Sequence, residues 1–117
     1  MNQLTKLRLP IACTLVLMLA AVPSALAHAH QKVMNPSPDT TGPAPSSISI
    51  TFSEAVEPKF SSIRITDKSG KAEGSEVSRS LRADPKTITL AVPKLTAGTY
   101  VVHWVSVALD GHRLEGS

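Results

Sequence analysis

Apolar and polar residues alternate along most of the chain beyond residue 46. The alternation is clearest in four segments: residues 48–53, 63–65, 88–92 and 99–109. A period of two is typical of β-strands that bury one face. The last segment is the longest, with Tyr100, Val102 and Trp104 on one face and valines on the other. Apolar side chains on both faces predict that this strand is central in its sheet.

Turn-forming residues separate the predicted strands. Proline and glycine punctuate residues 35–46, which we expect to be irregular. Asp67-Lys68-Ser69-Gly70 and Asp84-Pro85 both favour turns. Residues 69–83 are polar and weakly patterned, which predicts a long loop with at best a short strand near Val77. Short strands, regular turns and the lack of a helical pattern predict an all-β sandwich.

The end of the sequence predicts one more strand. Asp110-Gly111-His112 is typical of a turn or bulge, and Arg113-Leu114-Glu115 is typical of the start of a strand. The sequence stops soon afterwards at Ser117, which would leave a neighbouring strand unpaired. We therefore expect that the last strand is truncated and that the natural protein continues for roughly one more strand of about 5–6 residues.

Residues 1–27 have the pattern of a secretory signal peptide. Lys6 and Arg8 precede the apolar run 11–22, and Ala25-Leu26-Ala27 is a small-x-small cleavage site. The apolar run is shorter than the roughly 20 residues that a transmembrane helix needs, and no second run follows it. Cleavage after Ala27 would leave one exported domain, residues 28–117, without a membrane span.

Removal of this leader would lower the net charge of the chain and take away its only cysteine. It takes away two cations and no acid, so the formal net charge falls from +3 to +1. A charge this small gives no reason to expect a nucleic acid or a membrane surface as partner. Cys13 is the only cysteine and lies within the leader, so the exported domain has no thiolate to offer a metal ion.

Cleavage at this position would also create a chelating N-terminus. His28 would carry a free α-amine beside its imidazole, and these two nitrogens can close a ring on one ion of a metal such as Cu(II). Asp110 and His112 are two residues apart, so in an extended chain they point the same way. Gly111 lets the backbone bend between them. This spacing alone fits a polar surface turn as well as a metal site.

An ordered set of short motifs resembles the copper-resistance protein C (CopC) family. The motifs are His28 after the cleavage site, Asn35-Pro36-Ser37-Pro38, Phe52-Ser53-Glu54, Leu95-Thr96-Ala97-Gly98-Thr99-Tyr100, Trp104 and Asp110-Gly111-His112. Each motif is weak alone, but together they span essentially the whole exported domain. The resemblance implies a monomeric, non-catalytic periplasmic protein for copper sequestration, delivery or resistance, with a Greek-key, immunoglobulin-like β-sandwich.

The same resemblance implies a Cu(II) site at one end of the sandwich. His28 would supply its α-amine and its imidazole, His112 a second imidazole and Asp110 a carboxylate. Glu54 would be an accessory or outer-shell group. Two imidazoles, an amine and a carboxylate form a tetragonal nitrogen and oxygen set that suits Cu(II). The resemblance also implies an inner-membrane copper transporter of the CopD type as a partner.

Methionine content argues against a second, Cu(I) site, which some members of the family carry in a methionine-rich loop. The corresponding loop here, residues 67–84, has neither methionine nor histidine. Met34 is the only methionine beyond the leader, and we expect it to serve packing. His103 is expected to face solvent or a sheet partner, and no chemistry is assigned to it.

Three alternatives stay open at this point. In the first, the α-amine, two deprotonated amides and the His30 imidazole wrap one copper ion, which requires Ala29 and His30 to leave any strand pairing. In the second, the N-terminal histidine forms a histidine brace like that of copper monooxygenases, although aromatic residues are sparse and Asp110 would favour a stable Cu(II). In the third, the domain is an adhesion or assembly module without a metal.

Overall fold

The computed structural model describes residues 28–74, 77–81 and 83–117, so the predicted signal peptide and Cys13 lie outside the described residues. The described strands are β1 (Gln31–Asn35), β2 (Ser47–Phe52), β3 (Ser62–Asp67), β4 (Arg79–Leu81), β5 (Asp84–Ala91), β6 (Tyr100–Val107) and β7 (Arg113–Gly116). Within these three ranges, no helix is long and apolar enough to cross a membrane.

Two antiparallel sheets form a sandwich. One sheet has the strand order β1-β2-β5-β4 and the other has the order β3-β6-β7. This is the Greek-key order of an immunoglobulin constant-type domain. The predicted all-β sandwich is therefore confirmed. The strand β6 lies between β3 and β7, which is the central position that its two apolar faces predicted.

The core lies between the sheets and uses the inward positions of the alternating segments. On β2 the inward residues Ile48, Ile50 and Phe52 are at most 6% exposed. Ile65 on β3 of the facing sheet is equally buried. Phe52 meets Trp104 across the sandwich, with ring centroids 5.5 Å apart and ring planes at 61°. This edge-to-face geometry is one that aromatic pairs prefer, and it joins the two sheets.

The alternation of apolar and polar residues did not predict the strand β1. It pairs with β2 from Gln31 to Asn35, with one register irregularity. Only Met34 on this strand is partly buried, and it packs against the core as expected. An edge strand with one inward contact has no alternating pattern to detect. Backbone hydrogen bonds to β2 define it instead.

The region around β4 also differs in detail from the prediction. Val77 lies outside any strand, and the short strand expected near it forms at Arg79–Leu81. Leu81 already pairs with Asp84, so the chain reverses before the Asp84-Pro85 turn that the sequence predicted. Those two residues instead begin β5. Proline is tolerated there because it occupies the first residues of a strand, opposite a register shift.

The strand predicted to begin at Arg113 is present as β7. It pairs with Trp104–Val107, the second half of β6. In the described part of the chain, the first half of β6 has no partner strand on that side. Gly116 lies against Trp104, because a Cβ atom at this glycine would sit only 2.6 Å from the indole Cζ2. The indole therefore covers the backbone of β7, and a side chain at residue 116 would have to displace it.

We expect Gly116→Ala to destabilise the domain by about 1–3 kcal/mol, the usual cost of overpacking, because the added methyl group must displace the indole. Gly42→Ala is the matched control. Nothing lies within 4 Å of its Cβ position, so that change should be neutral or stabilising by at most about 1 kcal/mol. Urea unfolding measures both variants, and equal midpoints would contradict the proposed contact.

Candidate metal centre

The two N-terminal histidines flank a buried alanine. Ala29 is 0% exposed and belongs to the core, whereas His28 is half-buried and His30 is exposed. The imidazole centroids of His28 and His30 lie 5.7 Å apart. Burial of Ala29 therefore fixes the place at which His28 emerges from the core.

Two serines hold the backbone of this segment. The hydroxyl of Ser53 donates to the carbonyl of His28 and accepts from the backbone N–H of His30, both at 3.0 Å. The backbone N–H of Ser53 donates to the carbonyl of His30 at 2.8 Å. The buried hydroxyl of Ser106 donates to the carbonyl of Ala29 at 2.7 Å. Every carbonyl from His28 to His30 thus has a donor.

The turn between β6 and β7 supplies the other half of the site. His112 donates its backbone N–H to Oδ1 of Asp110 at 3.1 Å. Gly111 has φ +91°, a backbone conformation that residues with a Cβ atom rarely adopt. Its N–H closes the turn onto the carbonyl of Ala108 at 2.9 Å. This turn brings the His112 imidazole to 4.9 Å from that of His28, centroid to centroid.

Asp110 and His112 form a donor pair that suits a metal ion. Nδ1 of His112 is shielded from solvent, and Oδ2 of Asp110 lies 2.9 Å from it. Two ligands bound at right angles, each at about 2.0 Å from one ion, lie about 2.8 Å apart. The observed separation therefore fits neighbouring corners of a tetragonal site.

The turn also keeps the carboxylate ionised. The backbone N–H of His112, and after it the imidazole, hold the pKa of the Asp110 carboxyl below its ordinary value. An ionised carboxylate can bind a cation without first losing a proton. Its side chain is 41% exposed, so an ion arriving from solvent can reach it.

Glu54 lies beside this donor pair. With Asp110 it lines a small open cavity of about 160 Å³, whose other walls are Ala55, Ala108 and Leu109. The side chain of Glu54 is exposed. This placement is compatible with an accessory group at the edge of the site.

His103 lies apart from these residues. Its Nε2 is 3.0 Å from the hydroxyl of Thr66 on the neighbouring strand β3. This contact agrees with the expectation that His103 faces a sheet partner.

Side chains alone do not complete a metal site. Among residues 28–74, 77–81 and 83–117 there is no group of three or more histidine, cysteine or acidic side chains arranged to hold an ion. His28 and His112 approach each other, and Asp110 stands beside His112.

The hydrogen bonds oppose the alternative mode through His30. That mode requires the amides of Ala29 and His30 to lose their protons and to lie in one plane with the ion. The His30 N–H is instead engaged by the hydroxyl of Ser53 and by the carbonyl of His28. Ala29 would also have to leave the core. The folded geometry therefore favours a site shared by His28 and His112.

The sequence analysis missed the two serines. Ser106 lies on the inward face of β6 between Trp104 and Ala108, where the pattern predicts an apolar side chain. A polar residue at a predicted core position was the available signal, because such a residue requires a buried partner. Ser53 stood in a quoted motif but was given no role.

Comparisons with known proteins agree with the fold and with the ordered motifs. Residues 32–117 match the family model of the CopC domain. The chain is 34% identical to copper resistance protein C of Xanthomonas campestris pv. juglandis, over 92% of this chain and 91% of that one. The crystal structure of CopC from Methylosinus trichosporium OB3b superposes with a TM-score of 0.70 at 34% identity, covering 76% of this chain and 87% of that chain.

PcoC, a methionine-rich copper resistance protein from Escherichia coli, is similar as well. Its crystal structure superposes with a TM-score of 0.66 at 33% identity and covers 77% of this chain and 93% of that chain. The chain described here has only three methionines. It therefore shares the fold of that relative but is not rich in methionine.

We expect the Asp110 carboxyl to titrate below the usual aspartate value of about 3.9 when followed by carboxyl ¹³C NMR. In His112→Ala the pKa should rise only part of the way, because its largest cause is a backbone N–H that the variant keeps. The lowered folded-state pKa means that this carboxylate stabilises the fold above about pH 4, and that the contribution is lost as the pH falls through the folded-state pKa. An ordinary pKa in both proteins would contradict the turn geometry.

Proposed function

The chain belongs to the CopC family, and from that premise we propose that it is an exported, periplasmic Cu(II)-binding protein, non-catalytic, that sequesters or delivers copper in copper resistance. The observation that supports this function most directly is the approach of the His28 and His112 imidazoles to 4.9 Å with the Asp110 carboxylate beside them. The names of the relatives concern copper resistance. Copper is the cargo of such a protein.

In the proposed site, four donors surround the ion. His28 supplies its α-amine and imidazole, His112 a second imidazole and Asp110 an oxygen. The 2.9 Å separation of Nδ1 of His112 and Oδ2 of Asp110 supports this set, because it is the spacing of two neighbouring ligands of one ion. Glu54 stays at the edge of the site. Cu(II) accepts this tetragonal set of nitrogen and oxygen donors.

The donor types favour Cu(II) over Cu(I). Thioether sulfur is the donor that selects Cu(I). Met34 is the only methionine among the described residues, and it packs against the core. We therefore propose one Cu(II) site and no methionine-rich Cu(I) site.

The packing of the aromatic residues favours a binding protein over a histidine-brace monooxygenase. Two of the aromatic residues, Phe52 and Trp104, are committed to packing between the sheets. Their rings are therefore unavailable as a face for a polymeric substrate.

We further propose that the protein is a monomer and that its partner is an inner-membrane copper transporter of the CopD type. This inference rests on the family.

We expect the exported, processed chain to bind about one Cu(II), and His28→Ala or His112→Ala to abolish tight binding, because each removes donors from one half of the site. Calorimetric titration and the Cu(II) EPR spectrum measure both effects. His103→Ala is the matched control, since His103 bonds Thr66 away from the site. Copper at 100 times its dissociation constant should also raise the unfolding free energy by about 2.7 kcal/mol, an effect that a metal-free module would not show.

A chain with one alanine added before His28 keeps both imidazoles and moves only the amine, so its affinity should fall as well. Unchanged titration curves for His28→Ala and His112→Ala would eliminate the assigned site. Peroxide production that depends on a reductant and on His28 would instead support the monooxygenase.

Copper affinity should fall as the pH is lowered, because the amine and both imidazoles bind metal only without their protons. Each of these donors competes with a proton, so the loss per pH unit should become steeper as the pH falls. Competition titrations between pH 5 and pH 8 would show this bend. An affinity that is independent of pH over this range would exclude nitrogen donors of these types.

A further inference from the structure

We propose that Ser53 and Ser106 are positioning residues, which anchor the N-terminal segment so that the nitrogen donors of His28 face the turn that carries Asp110 and His112. The inference rests on the proposed function and adds to it the groups that prepare the site before copper arrives. Neither serine is offered as a ligand.

Apart from the two serine hydroxyls, the anchored segment is supported by the buried Ala29 side chain and by one backbone hydrogen bond from Ser53 to the carbonyl of His30. The strand β1 begins at Gln31, so His28, Ala29 and His30 lie outside its strand pairing. Chain ends are poorly ordered unless something ties them down. A mobile first residue would have to be ordered each time that it bound an ion, and that cost would weaken binding.

Ser106 ties this segment to the sheet that leads into the donor turn. Its side chain is 0% exposed, and its hydroxyl donates to the carbonyl of Ala29, which is equally buried. Each group would be an unsatisfied polar atom in the core without the other. Because β6 runs from Ser106 to the turn that holds Asp110 and His112, the bond links the two halves of the site directly.

Ser53 ties the same segment to the other sheet. It follows β2, accepts from the His30 N–H and donates to the carbonyl of His28. Both roles use one hydroxyl, which threonine retains and alanine lacks. The N-terminal segment is thus held between the two sheets, with a serine on each side bonding one of two successive carbonyls.

The test compares Ser53→Ala and Ser106→Ala with Ser61→Ala in the exported, processed protein. Ser61 is a matched control because it is buried like Ser106, and its hydroxyl bonds the backbone of β6 at Val107 and not the N-terminal segment. All three variants should lose some thermal stability. Only Ser53→Ala and Ser106→Ala should lower Cu(II) affinity, by about 10–100-fold, the usual effect of removing a group that orients a ligand.

Three readouts separate positioning from a general loss of stability. In the metal-free protein, the His30 amide should exchange faster in Ser53→Ala and stay protected in Ser61→Ala. The Cu(II) EPR spectra of Ser53→Ala and Ser106→Ala should be broadened while keeping nitrogen donors. Ser53→Thr should restore both affinity and protection, and it carries the test if Ser106→Ala does not fold.

The outcomes also separate this inference from the proposed function. Wild-type affinity in Ser53→Ala and Ser106→Ala, with binding still abolished in His28→Ala, would overturn the positioning role and leave the copper site intact. An equal loss of affinity in Ser61→Ala would overturn it too, since stability alone would then explain the effect. Failure of the wild-type chain to bind Cu(II) would overturn the proposed function and with it this inference.

Discussion

Burial of Ala29 between the two sheets is the constraint on which the candidate site depends. The alanine is fully enclosed, and its carbonyl is satisfied by the hydroxyl of Ser106. With this residue in the core, His28 must emerge at the end of the sandwich where the β6–β7 turn presents His112. The buried methyl group of Ala29 and the hydrogen bonds to this segment therefore determine where His28 lies.

The immunoglobulin-type strand order makes this meeting possible. It places β1 at the edge of one sheet and the β6–β7 hairpin in the other, and His28, ahead of β1, meets the turn of that hairpin at one end of the sandwich. The two halves of the site are held in different ways. A hydrogen bond within the turn orients Asp110 and His112, whereas the hydroxyl of Ser53, which follows β2, bonds the carbonyl of His28.

The alternating pattern predicted β2, β3, β5 and β6 because each has an inward apolar face, as Ile50 and Ile65 illustrate. It did not predict β1, whose side chains are mostly exposed, because backbone pairing leaves no trace in hydropathy. For the site, the Asp110 to His112 spacing indicated one surface, but the approach of His28 depends on topology. Only the family resemblance suggested it. Ser106 was overlooked because the alternation of apolar and polar residues shows which face of a strand is buried, but not which hydrogen bonds a buried hydroxyl makes.

In the proposed site, one donor differs from the others in kind. The imidazoles and the carboxylate exist in any folded copy of the chain, but the α-amine exists only after peptide cleavage before His28. With the leader attached, that nitrogen is an amide, which does not bind metal unless it loses its proton. The proposed site therefore lacks one of its four donors until the chain is cleaved. Tight copper binding would therefore be coupled to export and processing, so that the chain gains its affinity in the compartment where the leader has been removed.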